Sequence, residues 1–268
     1  MCIRDRNTEI LTLSSHSKSG KVTIESKTQE PLQIKDSSII TSVQVEIKRC
    51  EWCNPIRIDV GAQGKSGDVS INSSGDLNLS NVTIESNTKS NQNAGNVNIK
   101  SPGQIYLNST EIISTTEAKG NAGNITITTP QNIELTNNST LQADTQGSGK
   151  AGNIKVQSQT LSLEEKTSLS TQTSGAGAPG NIKIEAETID IGKDAKISAT
   201  ITQYSTNTEG GGSINIDTNT LNISGDLGGF SESQGQVPPS TLILKTYNNN
   251  PDLDLSLIHI SEPTRPLH

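Results

Sequence analysis

The chain has 268 residues, a formal net charge of −7, 29% hydrophobic and only 2% aromatic residues. That composition excludes a thick globular core, and the negative balance makes nucleic acid and anionic membrane poor partners. Apolar residues never run for the roughly 20 positions that a membrane-spanning helix needs, so no membrane span is expected.

In chain order, the first six residues, "MCIRDR", share no pattern with the middle of the chain, and neither do residues 255–268, "LSLIHISEPTRPLH". Both resemble translated adapter sequence and are set aside as artefacts, as a tag would be. Met1 is then no biological start. Cys2, His259 and His268 drop out with these ends, leaving His16, Cys50 and Cys53.

From residue 7 to about 230 the chain repeats. A weak copy opens at Gly20, "SGKVTIESKTQEPLQIKDSSIIT". Better copies start at Ser66, Ala94, Ala122, Ala151, Pro179 and Gly211. Aligned on a Gly-Asn pair, they place Asp68, Asn96, Asn124, Asn153, Asn181 and Ser213 at one position, spaced 28, 28, 29, 28 and 32 residues. Within the copy at Ala122, Ile125/Ile127, Ile133/Leu135 and Leu141/Ala143 alternate with polar residues and are separated by Thr129-Pro130 and Asn137-Asn138. Such alternation predicts short strands with one buried face, and three strands in a fixed period of this size predict one coil of a parallel β-helix. No helical period interrupts them. The expected fold is all-β, a right-handed solenoid with about 28 residues per coil.

One coil cannot bury its own apolar side chains, but stacked coils share them. At about 4.8 Å per coil, seven coils make a rod of roughly 35 Å. The corner amides of Asn96, Asn124, Asn153 and Asn181 are expected to form a ladder, as stacked Asn side chains do. The Gly before each is read as supplying backbone freedom at the corner. Length differences are assigned to the loops 145–150, 172–178 and 201–211.

One irregular insert, residues 41–65, stretches the distance between Gly20 and Gly67 to 47 residues. It holds Cys50-Glu51-Trp52-Cys53. A single Cys-x-x-Cys is half of a zinc site, and His16 is the one further candidate ligand. Cys50 and Cys53 are therefore read as a local disulfide if the protein is extracellular, with Trp52 as a lid over the coil. Residues 231–254 are assigned to a tail of the repeat region.

The phrase "GNAGNITITTP", the third strand Ile197 to Thr200 and the Ser/Thr/Asn bias resemble filamentous haemagglutinin-like exoproteins, and more narrowly the cyanobacterial members of two-partner secretion. The resemblance covers roughly residues 7 to 230. It implies a right-handed parallel β-helix, a secreted or cell-surface location, and an outer-membrane transporter barrel as export partner. The family's secretion domain carries an Asn-Pro-x-Gly type motif, and "NPIR" at Asn54 does not match it. The chain therefore resembles the repeat shaft, with glycans or neighbouring cell surfaces as further expected partners.

Parallel β-helices also carry polysaccharide lyases and hydrolases. A lyase needs an acidic calcium cluster and an arginine base, yet outside the two ends the only arginines are Arg49 and Arg57. There is no Asp-Asp pair, no Gly-His-Gly and no Gly-Gly-x-Gly-x-Asp. Glu134, Glu164, Glu165, Glu185, Glu187 and Asp190 read as scattered outward or turn positions rather than the converging carboxylates that glycosidic chemistry requires. Sequons such as those at Asn81 and Asn138 are expected by chance in so Asn- and Thr-rich a chain. The sequence thus predicts a non-catalytic adhesin or exoprotein shaft without cofactor or metal. The alternative is a carbohydrate-active β-helix protein whose catalytic part lies elsewhere.

Overall fold

The computed structural model describes residues 2–3, 8–11, 20–26, 31–40, 65–164, 166–202, 205–208, 210–224, 241–245 and 252–253. The insert around Cys50, Trp52 and Cys53 lies outside these residues, as do His16, Glu165 and Tyr204.

The described residues contain strands and turns and no helix. β1 (Cys2–Ile3) and β2 (Thr8–Leu11) come first, before β3 (Val22–Glu25) and the long β4 (Leu32–Ile40). β5 (Val69–Asn72) and β6 (Leu77–Glu85) repeat that pair. Three-strand coils come next: β7 (Val97–Lys100), β8 (Ile105–Asn108) and β9 (Glu111–Ile113); β10 (Ile125–Thr128), β11 (Asn132–Thr136) and β12 (Thr140–Gln142). Two more are β13 (Ile154–Gln157), β14 (Thr160–Leu163) and β15 (Ser168–Ser170); β16 (Ile182–Glu185), β17 (Thr188–Ile191) and β18 (Lys196–Ser198). β19 (Ser213–Asp217) and β20 (Thr220–Ile223) precede β21 (Thr241–Lys245) and β22 (Asp252–Leu253).

Each strand pairs in parallel with its equivalent in the coils before and after. β3, β5, β7, β10, β13, β16, β19 and β21 form one ladder. β8, β11, β14, β17 and β20 form a second, and β9, β12, β15 and β18 a third. β6 is long enough to pair with both β8 and β9, which joins the second and third ladders into one sheet. The whole is a right-handed β-solenoid of about six turns.

The core is a set of apolar files. Ile71, Ile99, Ile127, Val156, Ile184 and Ile216 succeed one another in register and are at most 1% exposed. Leu79, Leu107, Leu135, Leu163 and Ile191 do the same in the second ladder, and Ile84, Ile112, Leu141, Leu169 and Ile197 in the third. β-branched and Leu side chains suit this arrangement because each packs on a near-copy of itself one coil away. β21 continues the first ladder, Thr241 pairing with Ser213, within the segment assigned to the tail. Cys2 and Ile3, in the end set aside as adapter-like, pair with Gln33 and Ile34.

The corner between the second and third strands uses left-handed backbone. Asp36, Asn81, Ser109, Asn138, Lys166 and Asp194 all have φ between 47° and 63°. Asn and Asp are the non-glycine residues that tolerate this region best, which accounts for their recurrence here.

Two expectations change. The extra residue of the 29-residue spacing does not lie in loop 145–150: Asn108 pairs with Thr136, 28 residues on, but Glu111 pairs with Thr140, 29 on. It lies at the Asn137-Asn138 corner, where both residues take positive φ. Loop 201–211 does hold the four extra residues of the 32 spacing, because Thr173 still bridges Ile201 at 28 while Ile182 pairs with Ile214 at 32.

The glycines of the Gly-Asn pairs also have a different reason from the one expected. Among described glycines only Gly210 has a positive φ. A Cβ on Gly95, Gly123, Gly152 or Gly180 would lie 1.8–2.0 Å from the carbonyl oxygen of the equivalent glycine one coil earlier. Close backbone approach between coils requires glycine there, not conformational freedom.

Candidate functional site

The Gly-Asn position forms a continuous polar file along the rod. Asp68 Oδ1 accepts the Asn96 backbone N–H at 2.8 Å, Asn96 Oδ1 that of Asn124 at 2.9 Å, and Asn124 Oδ1 that of Asn153 at 2.8 Å. Asn153 Oδ1 accepts the Asn181 N–H at 2.8 Å, and Asn181 Oδ1 receives both the backbone N–H and the hydroxyl of Ser213, at 2.9 and 2.8 Å. Each side chain thus satisfies a backbone donor in the next coil rather than bonding mainly to the next side chain. Asn121 continues a parallel file three residues earlier, accepting from Lys150 N–H at 2.8 Å and donating its own N–H to Asn93 Oδ1 at 2.9 Å. With their oxygens committed to coil-to-coil bonds, these amides form a structural seam.

The outer face of the second ladder is chemically richer. Adjacent coils put Asn78, Tyr106, Glu134, Ser162, Asp190 and Asn222 in one outward column. Ser80, Asn108 and Thr136 stand beside it, with Glu164 just beyond. Tyr106 has its hydroxyl 3.3 Å from Thr136 Oγ1. Glu134 and Glu164 interact, and the Glu134 carboxyl is raised above the usual carboxylate range by partial burial first and by the Glu164 charge second. Asp190 is held differently, accepting from Asn222 Nδ2 at 2.7 Å.

The first ladder carries ion pairs instead. Glu185 accepts from Lys183 at 2.6 Å and from Lys155 at 3.0 Å, and its carboxyl is held below the usual range chiefly by the Lys183 hydrogen bond. Lys183 also reaches Asp217 at 4.0 Å.

The third ladder holds a group that sequence reasoning did not single out. Asp144, just past β12, is only 9% exposed. Its Oδ1 accepts the Gln172 N–H at 2.6 Å and the Ser170 hydroxyl at 2.9 Å, while Oδ2 accepts from Gln142 Nε2 at 2.7 Å. Desolvation outweighs these three donors, and the carboxyl is raised. Asn87, two coils earlier in the same row, accepts the Thr115 N–H and hydroxyl in the same way at 3.0 and 3.1 Å. The signal was available: Asn87, Thr115, Asp144 and Gln172 are 28, 29 and 28 residues apart.

The structure therefore brings Glu134 and Glu164 together, places Asp190 one coil beyond Ser162 in the same column as Glu134, and sets Glu185 in the first ladder. Glu164 is the diagonal neighbour of Glu134, two residues beyond Ser162, its partner in the ladder; long side chains reach across such diagonals. Among the described residues no group of three or more His, Cys, Asp or Glu is placed to hold a metal ion. No helix of the described residues is long and apolar enough to cross a membrane. No family model, curated protein or solved structure matches the chain.

Proposed function

We propose that the chain is a length of shaft from a secreted, surface-associated adhesin or exoprotein, and that it is non-catalytic. The observation carrying this reading is the outward surface of the rod. Ser, Thr and Asn recur coil after coil in fixed columns, as in Thr160, Thr188 and Thr220 or Thr140 and Ser168. A repeated column of hydroxyls and amides offers many equivalent weak contacts, which add up by multivalency where one alone would not hold. Export through a partner barrel of the two-partner type rests on the resemblance of the repeat phrases, since fold by itself does not determine function.

A second reading, a carbohydrate-active β-helix protein with its catalytic part outside these residues, draws on the Glu134–Glu164 contact. Glycosidase carboxyls stand about 5 Å apart or more, so that the sugar or a water fits between them. Glu134 and Glu164 instead interact directly with each other across a ladder diagonal, which favours the shaft.

The test is retention against turnover. The full chain, coupled to beads, is exposed to cell-wall preparations and to polygalacturonate and neutral glycans. Salt-resistant retention without release of reducing or unsaturated ends supports the shaft. Sustained release of such ends overturns it.

A further inference from the structure

At the end of each third strand one residue bridges the coils singly: Thr88 to Thr116, Thr116 to Thr145, Thr145 to Thr173, and Thr173 to Ile201. The four threonines are at most 1% exposed. In the first two the hydroxyl is used locally. Thr88 Oγ1 accepts the Ser90 N–H at 3.1 Å and lies 2.9 Å from Ser90 Oγ, and Thr116 Oγ1 accepts the Ala118 N–H at 3.4 Å. In the next two the residue two positions on is glycine, Gly147 and Gly175, drawn tightly onto the coil below. There the turn bond is not made, and the buried Oγ1 atoms of Thr145 and Thr173 have no partner in the protein.

Two orphan hydroxyls in consecutive coils are an anomaly that a native structure resolves with an ordered water or an ion. Charge selects between these: the bridge residues are uncharged, and the neighbouring Asp144 carboxylate is already engaged by the Gln172 N–H, the Ser170 hydroxyl and Gln142 Nε2, so water rather than a cation fits. Bridged residues in adjacent strands are separated by about 4.8 Å. A water oxygen at about 2.8 Å from each Oγ1 then subtends an angle of about 120°, close to its own bonding geometry. We infer that Thr145 and Thr173 bind one internal water between their hydroxyls, beneath the glycine-rich loops 146–150 and 174–178. Ile201 closes the row above with an apolar side chain, so the site is confined to these two coils.

A bound water of this kind ties coil to coil where Gly147 and Gly175 leave no side chain to do so. It also accounts for threonine at positions where valine has the same shape and no polar atom.

The test uses the full chain with Thr145→Val, Thr173→Val and both together, folded content being checked by circular dichroism. If the water is shared, each single substitution lowers the urea midpoint, and the double variant falls no further than either single one, because the shared bond is already lost. If the hydroxyls are dry, each substitution removes an orphan polar atom and raises the midpoint, additively in the double variant, and the inference is overturned. Additive falls overturn it as well, since they mean separate partners. A high-resolution crystal structure gives an independent reading: density within hydrogen-bond distance of both Oγ1 atoms is expected, and its absence is decisive against the site.

Discussion

Asn124 Oδ1 accepts the backbone N–H of Asn153 at 2.8 Å, one coil further along the rod. The bond belongs to a file that begins at Asp68 and ends at Ser213, in which both Asp and Asn side chains act as acceptor and Ser213 closes the file as a donor. What the file needs is an acceptor of the right reach, not an amide as such.

Asn124→Asp should therefore be nearly neutral, because a carboxylate accepts the Asn153 N–H as Asp68 accepts that of Asn96. Asn124→Leu removes the acceptor and should cost roughly 0.5–1.5 kcal/mol, the net worth of an ordinary hydrogen bond. Urea denaturation of the two variants beside the parent chain measures both. Equal losses from Asp and Leu would mean that the amide nitrogen, not the oxygen, is what matters.

Ile127 lies between Ile99 and Val156 and is fully buried. Ile127→Asp puts an unpaired charge into a dry apolar file, so that the coil opens or the carboxyl stays protonated. Thr126 faces outward between Asn98 and Lys155, and Thr126→Asp should stay within about 0.5 kcal/mol of the parent, as surface changes do. Midpoints for the two variants test the alternation of inside and outside directly; similar damage from both would reverse the assignment.

Gly123→Ala should destabilise by about 1–3 kcal/mol or more, as overpacking does. The added methyl would meet the Gly95 carbonyl oxygen at 1.9 Å, and this oxygen belongs to backbone that cannot swing aside. Were backbone conformation the only constraint, alanine would fit without strain, because Gly123 has no positive φ. Thermal unfolding of Gly123→Ala separates the two explanations.

The carboxyls divide by the sign of their pH dependence. Glu134 and Asp144 are raised in the folded state, so the fold binds their protons more tightly than the unfolded chain does. Their contribution is unfavourable above the folded pKa and is relieved as pH falls through it towards the unfolded value. Glu185 is lowered, so its contribution is favourable above the unfolded value and is lost as pH falls through the folded one. Glu164→Gln removes the charge that opposes Glu134 and should flatten the gain in stability on mild acidification, whereas Lys183→Met should flatten the loss attributable to Glu185. Stability measured at intervals across the carboxylate range reads both slopes. The Glu134 effect will be small, since that side chain is only partly buried and solvent screens its interaction.

Much of this architecture was legible in the residues. Alternation assigned Ile125, Ile127, Ile133 and Leu135 to the interior, and the 28-residue period named their partners in advance. In a solenoid the tertiary neighbour of a residue is its own equivalent one repeat away, so one-dimensional periodicity carries three-dimensional contacts. The corner file from Asp68 to Ser213 could be aligned on the same ground.

Other relationships depend on how the coil is closed, and only the tertiary structure decided them. The Glu134–Glu164 contact is diagonal to the period, and it depends on strand direction and side-chain reach as well as on spacing. Asp144 sits in a row that mixes Asn, Thr, Asp and Gln, so its burial was hidden by its variable neighbours. The glycine of each Gly-Asn pair was visible as a repeat, but its reason, a carbonyl oxygen 1.8–2.0 Å from where a Cβ would stand, is a distance between coils. The inserted residue at Asn137-Asn138 shows the same limit. Spacing counts residues per turn, while the corner that can absorb one more is chosen by where the backbone can turn left-handed without breaking the ladders on either side.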